Sequence, residues 1–183
     1  MRMSRKAIRI LSAVVISLLA AAFFFHDREL TGAQQANAPH VRVVAVHDGD
    51  TVSIIIAGRK KEKVRLIGID APELGQRPWG VRAKKHLTEL VELSGWDVIP
   101  EFDIERRDKY GRLLGYLWTA DGKLINLEMV KDGYAVLFTL PPNVRYVNRL
   151  REGQHYARGK GLGIWGPGGL KERPGDYRRR HQR

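Results

Sequence analysis

Apolar and polar positions alternate early in the chain and later shift to a helical period. Val41–Val46 and Val52–Ala57 are β-branched runs separated by His47-Asp48-Gly49-Asp50-Thr51, which predicts two strands joined through a turn. Lys63–Ile69 alternates and ends at Asp70-Ala71-Pro72-Glu73, a third strand. Pro72 disfavours a helical Ala71, so the chain turns there. Val81, Leu87, Leu90 and Val91 are read as one face of a helix that Gly95 ends. Asp97–Glu105 alternates again, and Leu113–Trp118 follows the turn Asp108-Lys109-Tyr110-Gly111, giving strands four and five. Ile125–Lys131 predicts a short helix ended by Gly133. Val144, Val147, Leu150, Gln154 and Ala157 mark a third, closed by Gly159, Gly161 and Gly163.

Three strands, a helix, two strands and then helices predict a β-barrel with packed helices, of the α+β class. The expected shape is a five-stranded OB-type barrel with about three helices, a form that often binds oligonucleotides. No internal repeat is visible.

The first 40 residues read differently. Arg2, Arg5, Lys6 and Arg9 precede the apolar run Ile10–Phe25, the signature of a secretory signal. The run is shorter than the roughly 20 residues that span a bilayer upright. Residues 1–25 are therefore expected to be a signal peptide or an uncleaved anchor, with the charged side in the cytoplasm. Ala36-Asn37-Ala38 offers small residues for cleavage, although Pro39 would follow the cut. Residues 26–40 read as a polar linker, 41–166 as the folded domain, and 167–183, rich in Gly, Pro and Arg, as a basic disordered tail. The expected location is secreted, periplasmic, or anchored to the membrane and facing outward, with the membrane met through residues 10–25.

Composition narrows the chemistry. Of 183 residues, 43% are hydrophobic and 28% charged, which describes a globular chain. Cysteine is absent, excluding disulfides, thiolate zinc sites and cysteine nucleophiles. The six histidines never fall at HxH or HxxxH spacing, which argues against a histidine-built metal site. The net charge is +12, and residues 41–170 alone carry 21 basic against 16 acidic groups. Such a surface favours polyanions.

Candidate chemistry lies at the strand ends. Singly, Asp48 and Asp50 in DGDT, and Asp70 and Glu73 in DAPE, have plain structural readings. Asp-Gly is a common hairpin turn, and Asp before Ala-Pro caps a turn. Together, the two acidic turns are expected at one end of the same barrel. Clustered carboxylates repel unless a cation joins them, and hard oxygen ligands select Ca²⁺, Mg²⁺ or Mn²⁺. Arg65 precedes Asp70 on its strand and Arg112 closes DKYGR. A guanidinium fork matches two oxygens of one phosphate. Cation, carboxylates and arginines together suit phosphodiester hydrolysis.

From about Val41 to Trp165 the chain resembles the staphylococcal nuclease (thermonuclease) family. The matching pieces are DGDT at 48–51, RLIGIDAPE at 65–73, DKYGR at 108–112, NLEMVKDGYA at 126–135 and GLGIW at 161–165, in the family's order. The resemblance implies an OB-fold and a Ca²⁺-dependent nuclease acting on DNA and RNA. It further implies that Asp50 and Asp70 are metal-ligating carboxylates and that the Ala71 carbonyl is a further ligand, where the best-known member has Thr. Glu73 would be the general base or the residue positioning the attacking water. Arg65 and Arg112 would hold the phosphate and stabilise the transition state. Lys109 and Tyr110 would contact a terminal phosphate, and Asp48 would sit just behind the metal.

Two departures stand out. Leu137-Phe138-Thr139-Leu140-Pro141-Pro142 lacks the family's base-stacking tyrosine; Phe138 could serve in its place, but it reads more readily as core. The loop after Glu73, LGQRPWG, is shorter than in the family's best-studied member, and Trp79 is expected to pack on the barrel. A non-catalytic OB-type module that binds nucleic acid is the alternative, and the basic tails also suit an anionic membrane surface. No protein partner is implied, and a monomer is expected.

Overall fold

A computed structural model describes residues 39–56 and 60–181. The apolar segment 1–25, the linker up to residue 38, and Ala57 of the second expected strand lie outside the described residues. From Val41 onward the chain closes a five-stranded barrel. Its strands are β1 (Val41–Val46), β2 (Thr51–Ile56), β3 (Lys60–Leu66), β5 (Asp97–Arg107) and β6 (Leu113–Trp118), in the spatial order β1-β2-β3-β6-β5. Pairing of Val41 with Val98 closes the ring, and β3 runs parallel to β6. The alternation of β1 is visible in its burial: Val41 and Val43 face inward while Arg42 and Val44 face solvent.

The third strand begins and ends three residues earlier than its alternation predicts, at Lys60 and Leu66. Gly68 adopts φ +80, a left-handed conformation that only glycine takes easily, and breaks the strand after Leu66. Ile69–Asp70 restart as β4 and pair with β7, Val136–Leu137. The fourth expected strand runs on to Arg107.

Helix α1 (Trp79–Leu93) buries Ala83, Leu87 and Val91, four residues apart. Val81 is 49% exposed, against the expectation that it shares this face. It lies six residues from Leu87, which turns it well away from the stripe. Helix α2 (Ile125–Lys131) is as expected. Helix α3 begins at Val147 rather than Val144 and ends where Gly161, at φ 62, supplies the left-handed cap.

The stretch expected to be a disordered tail carries a fourth helix, α4 (Pro174–His181). Its local chemistry suits a helix: Pro at the first position, Asp176 in the first turn, and Arg178, Arg179, Arg180 and His181 in the last. Contacts with the loop after Glu73 then hold it. Trp79 donates its indole N–H to the Gly168 carbonyl (3.1 Å), and Gln76 Nε2 donates to the Glu172 carbonyl (2.9 Å). Trp79 is buried, and its polar edge serves the C-terminal segment.

One buried side chain ties these layers together. Asn126, fully buried on α2, accepts the Leu117 N–H at 3.0 Å and donates to the Ile67 carbonyl at 2.9 Å. It fastens α2 both to β6 and to the bend that leads into Asp70. Asn126→Ala strands these partners in a dry interior and is expected to cost about 1–3 kcal/mol for each group left unpaired. Chemical denaturation of the variant checks this.

Candidate active site

Strand register brings the two acidic turns together. Thr51 pairs with Arg65 across β2 and β3, and the Leu66 N–H donates to the Asp50 carbonyl at 2.9 Å. The chain then bends at Gly68 and brings Asp70 and Ala71 back beside Asp50. The approach is close. A Cβ on Gly49 would lie 2.6 Å from the Ala71 Cβ and 2.7 Å from the Ala83 Cβ, so only glycine fits under the turn.

Asp50 and Asp70 are both buried. Asp50 Oδ2 accepts the Ala71 N–H at 2.8 Å and meets Arg65 Nη1 at 2.9 Å. Arg65 Nη2 donates to Asp70 Oδ1 at 3.0 Å, so one guanidinium bridges both acids. Asp48 Oδ1 accepts the Asp50 N–H at 3.0 Å and shapes the turn. Burial pushes the Asp50 carboxyl up to about 7; Asp48 and Asp70 add to the rise, while Arg65 and the Ala71 N–H oppose it.

The facing wall is the turn 108–112. Asp108 Oδ1 accepts the N–H groups of Tyr110 and Arg112, each at 3.0 Å, and Oδ2 accepts Arg112 Nε at 2.7 Å. Tyr110 is 71% exposed, with the Lys109 ammonium 5.1 Å and the Arg112 guanidinium 5.6 Å from its ring centre. Lys109, Tyr110 and Arg112 thus present two cations and an aromatic face to one space.

That space is a cleft of about 750 Å³. Asp48, Asp50, Arg65, Glu73, Lys109, Tyr110 and Arg112 all line it. Asp70 and Ala71 are absent from its walls and lie buried behind them. Phe138, expected in the core, is 45% exposed and lines the cleft. It follows β7, where its N–H donates to the Gly68 carbonyl (2.9 Å), and this leaves the ring at the cleft edge.

Two arginines of the cleft escaped the sequence reading. Arg107 makes a forked pair with Glu62 (3.0 and 3.1 Å), extending the basic wall. Arg178 reaches in from α4: Nη1 donates to Asp70 Oδ1 (2.9 Å) and Glu73 Oε1 (2.6 Å), and Nη2 to Asp70 Oδ2 (2.9 Å). Burial works against its charge, yet the hydrogen bonds to Asp70 and Glu73 outweigh it and raise the guanidinium pKa. The only signal in the sequence was an arginine run, which ordinarily marks a solvated face.

Among the described residues no three acidic or histidine side chains converge on a metal position. A cation here would rest on Asp50, Asp70 and the Ala71 carbonyl, taking the remainder of its about six to eight oxygens from solvent or substrate. The donors fit a hard divalent ion. All are oxygen, and positive charge would relieve the repulsion that helps raise the Asp50 pKa.

Several known proteins are similar in sequence to this chain. The family profile described as staphylococcal nuclease homologue matches residues 63–167. A thermonuclease of Staphylococcus intermedius is 40% identical over 133 residues, covering 67% of this chain and 74% of the relative. Endonuclease YncB of Bacillus subtilis (strain 168) is 36% identical over 152 residues, covering 74% and 70% respectively. A thermonuclease of Staphylococcus hyicus is 33% identical over 144 residues, covering 73% and 80%.

The two arginines of the site differ in what they hold. Arg65 neutralises two buried acids, so Arg65→Ala is expected to lose about 3–5 kcal/mol of stability. Arg112 pairs with Asp108 at a half-exposed turn, and Arg112→Ala is expected to lose under about 1 kcal/mol. Urea titrations of both variants test the contrast.

Proposed function

The chain belongs to the staphylococcal nuclease family and is a phosphodiester hydrolase, and from that premise we propose a Ca²⁺-dependent nuclease that cuts both DNA and RNA at the cell envelope or outside the cell. The observation that carries the reading is one cleft with acids on one wall and arginines on both. A pure binding surface gains nothing from Asp50, Asp70 and Glu73, which repel phosphate.

Each residue then has a task. Asp50, Asp70 and the Ala71 carbonyl hold the cation, with Mg²⁺ or Mn²⁺ compatible with the same donors. When bound, the ion polarises the phosphoryl oxygen and offsets its charge. Glu73 lines the cleft and takes a proton from the attacking water, or holds that water in line. Arg65 and Arg112 approach from opposite walls and stabilise the charge that grows on the phosphoryl oxygens. Lys109 and Tyr110 meet a neighbouring phosphate. Asp48 keeps Asp50 in place through its backbone N–H. Phe138 offers a ring for base stacking where the family tyrosine is missing.

The cellular assignment rests on Arg2 to Phe25, whose charged and apolar pattern suits export. Export and Ca²⁺ use are compatible, since extracellular all-oxygen Ca²⁺ sites commonly bind with Kd of roughly 10⁻⁴–10⁻³ M.

Full-length protein is expected to cleave single-stranded DNA with Ca²⁺ and to stop in EDTA. Glu73→Gln should lower turnover about 10²–10⁴-fold while Ca²⁺ binding persists. Arg112→Ala should lower it about 10²–10³-fold with the fold intact. Normal cleavage by Glu73→Gln would remove that residue from the reaction. DNA binding without cleavage in any divalent metal would make the protein a binding module.

A further inference from the structure

We propose that the C-terminal segment closes this site against divalent cations: Arg178, delivered by α4, occupies the Asp70–Glu73 carboxylate pair and must withdraw before a cation is held there. The inference rests on the reading of Asp50, Asp70 and Ala71 as the cation's donors.

The contact geometry is specific. Arg178 takes both oxygens of Asp70 in a forked pair and shares one amino group with Glu73. Arg65 already donates to Asp70 Oδ1, so that oxygen accepts from two guanidinium groups. A carboxylate saturated in this way has little left to offer a metal, and a fixed positive charge in hydrogen-bond contact repels a second. Glu73 is held by the same guanidinium, its Oε1 accepting from Arg178 Nη1 at 2.6 Å.

Of three consecutive arginines, Arg178 alone points into the cleft. Arg179 pairs with Asp176 and Arg180 with Glu172, both within the segment itself. The segment is seated on the loop after Glu73. A Cβ on Gly75 would lie 2.4 Å from the Tyr177 hydroxyl, and Gln76 joins the two ends of the arrangement. Its Oε1 accepts the Glu73 N–H (2.9 Å) while its Nε2 donates to the Glu172 carbonyl. The seat is shallow. Among the described residues none beyond Leu150 belongs to the barrel's central apolar cluster, and on α4 only Pro174 is buried. The segment is therefore able to leave while the barrel stays folded.

Mutual exclusion is reciprocal. If Arg178 weakens cation binding, the cation must loosen α4 by the same factor. Two measurements on the full-length protein test this. Calorimetric titration with Ca²⁺ is expected to show Arg178→Ala and Arg178→Gln binding at least about tenfold more tightly than the parent. Arg179→Ala, which removes the same charge one residue away, is expected to bind as the parent does. Hydrogen exchange of the unmutated protein is expected to speed up across 174–181 when Ca²⁺ saturates. Equal or weaker binding by Arg178→Ala, an equal gain in Arg179→Ala, or unchanged exchange at saturation would overturn the proposal. Absence of Ca²⁺ binding in every form would overturn the cation reading beneath it.

Discussion

Everything at the mouth of this barrel depends on one guanidinium between two buried carboxylates. Arg65 touches Asp50 at 2.9 Å and Asp70 at 3.0 Å. Without it, two acids that repel each other would share a dry space. With it, they define where the chain must pass: β3 carries the arginine, the bend at Gly68 turns the strand, and the Ala71 N–H locks onto Asp50. The chemistry and the local fold are thus the same interaction. The site is assembled by burying charge, and the desolvation that raises the Asp50 pKa is the cost of that assembly.

Much of this was legible in the residues. β-Branched runs around DGDT predicted the hairpin, and the order of strands and helices, with the resemblance carried by DGDT, RLIGIDAPE and DKYGR, predicted the barrel. Strand periodicity is a local property, so it survives reading from sequence. The misreadings have different causes. Val81 satisfied an apolar pattern, but its place on the helix turned it away from the buried stripe. The alternation of β3 ran past Leu66, while Gly68 ended it by its own backbone angle. Phe138 is apolar and read as core, yet pairing of its segment with the distant bend at Gly68 leaves its ring on a cleft wall.

The C-terminal segment is the clearest instance. Gly, Pro and Arg in sequence favour a solvated tail, and the helix-compatible signals from Pro174 to His181 are too short a run to override that reading alone. The helix is held at its seat, where Gly75 leaves room for Tyr177 and Trp79 offers an N–H. A segment with little apolar content is held by satisfying polar groups. Such holding is reversible on a scale that burial in the core is not.

Gly49 carries a consequence for how this site can vary through descent. The space where its side chain would stand is filled by the methyl groups of Ala71 and Ala83. Those three positions come from the turn between β1 and β2, the segment after β4 and a helix, and they share one volume. An enlargement at any of them has to be matched by the other two. Residue 83, which does not line the cleft, thereby limits what the turn at Gly49 can become. Inherited change at the site is filtered through a helix that stands behind the cleft and contributes nothing to its walls.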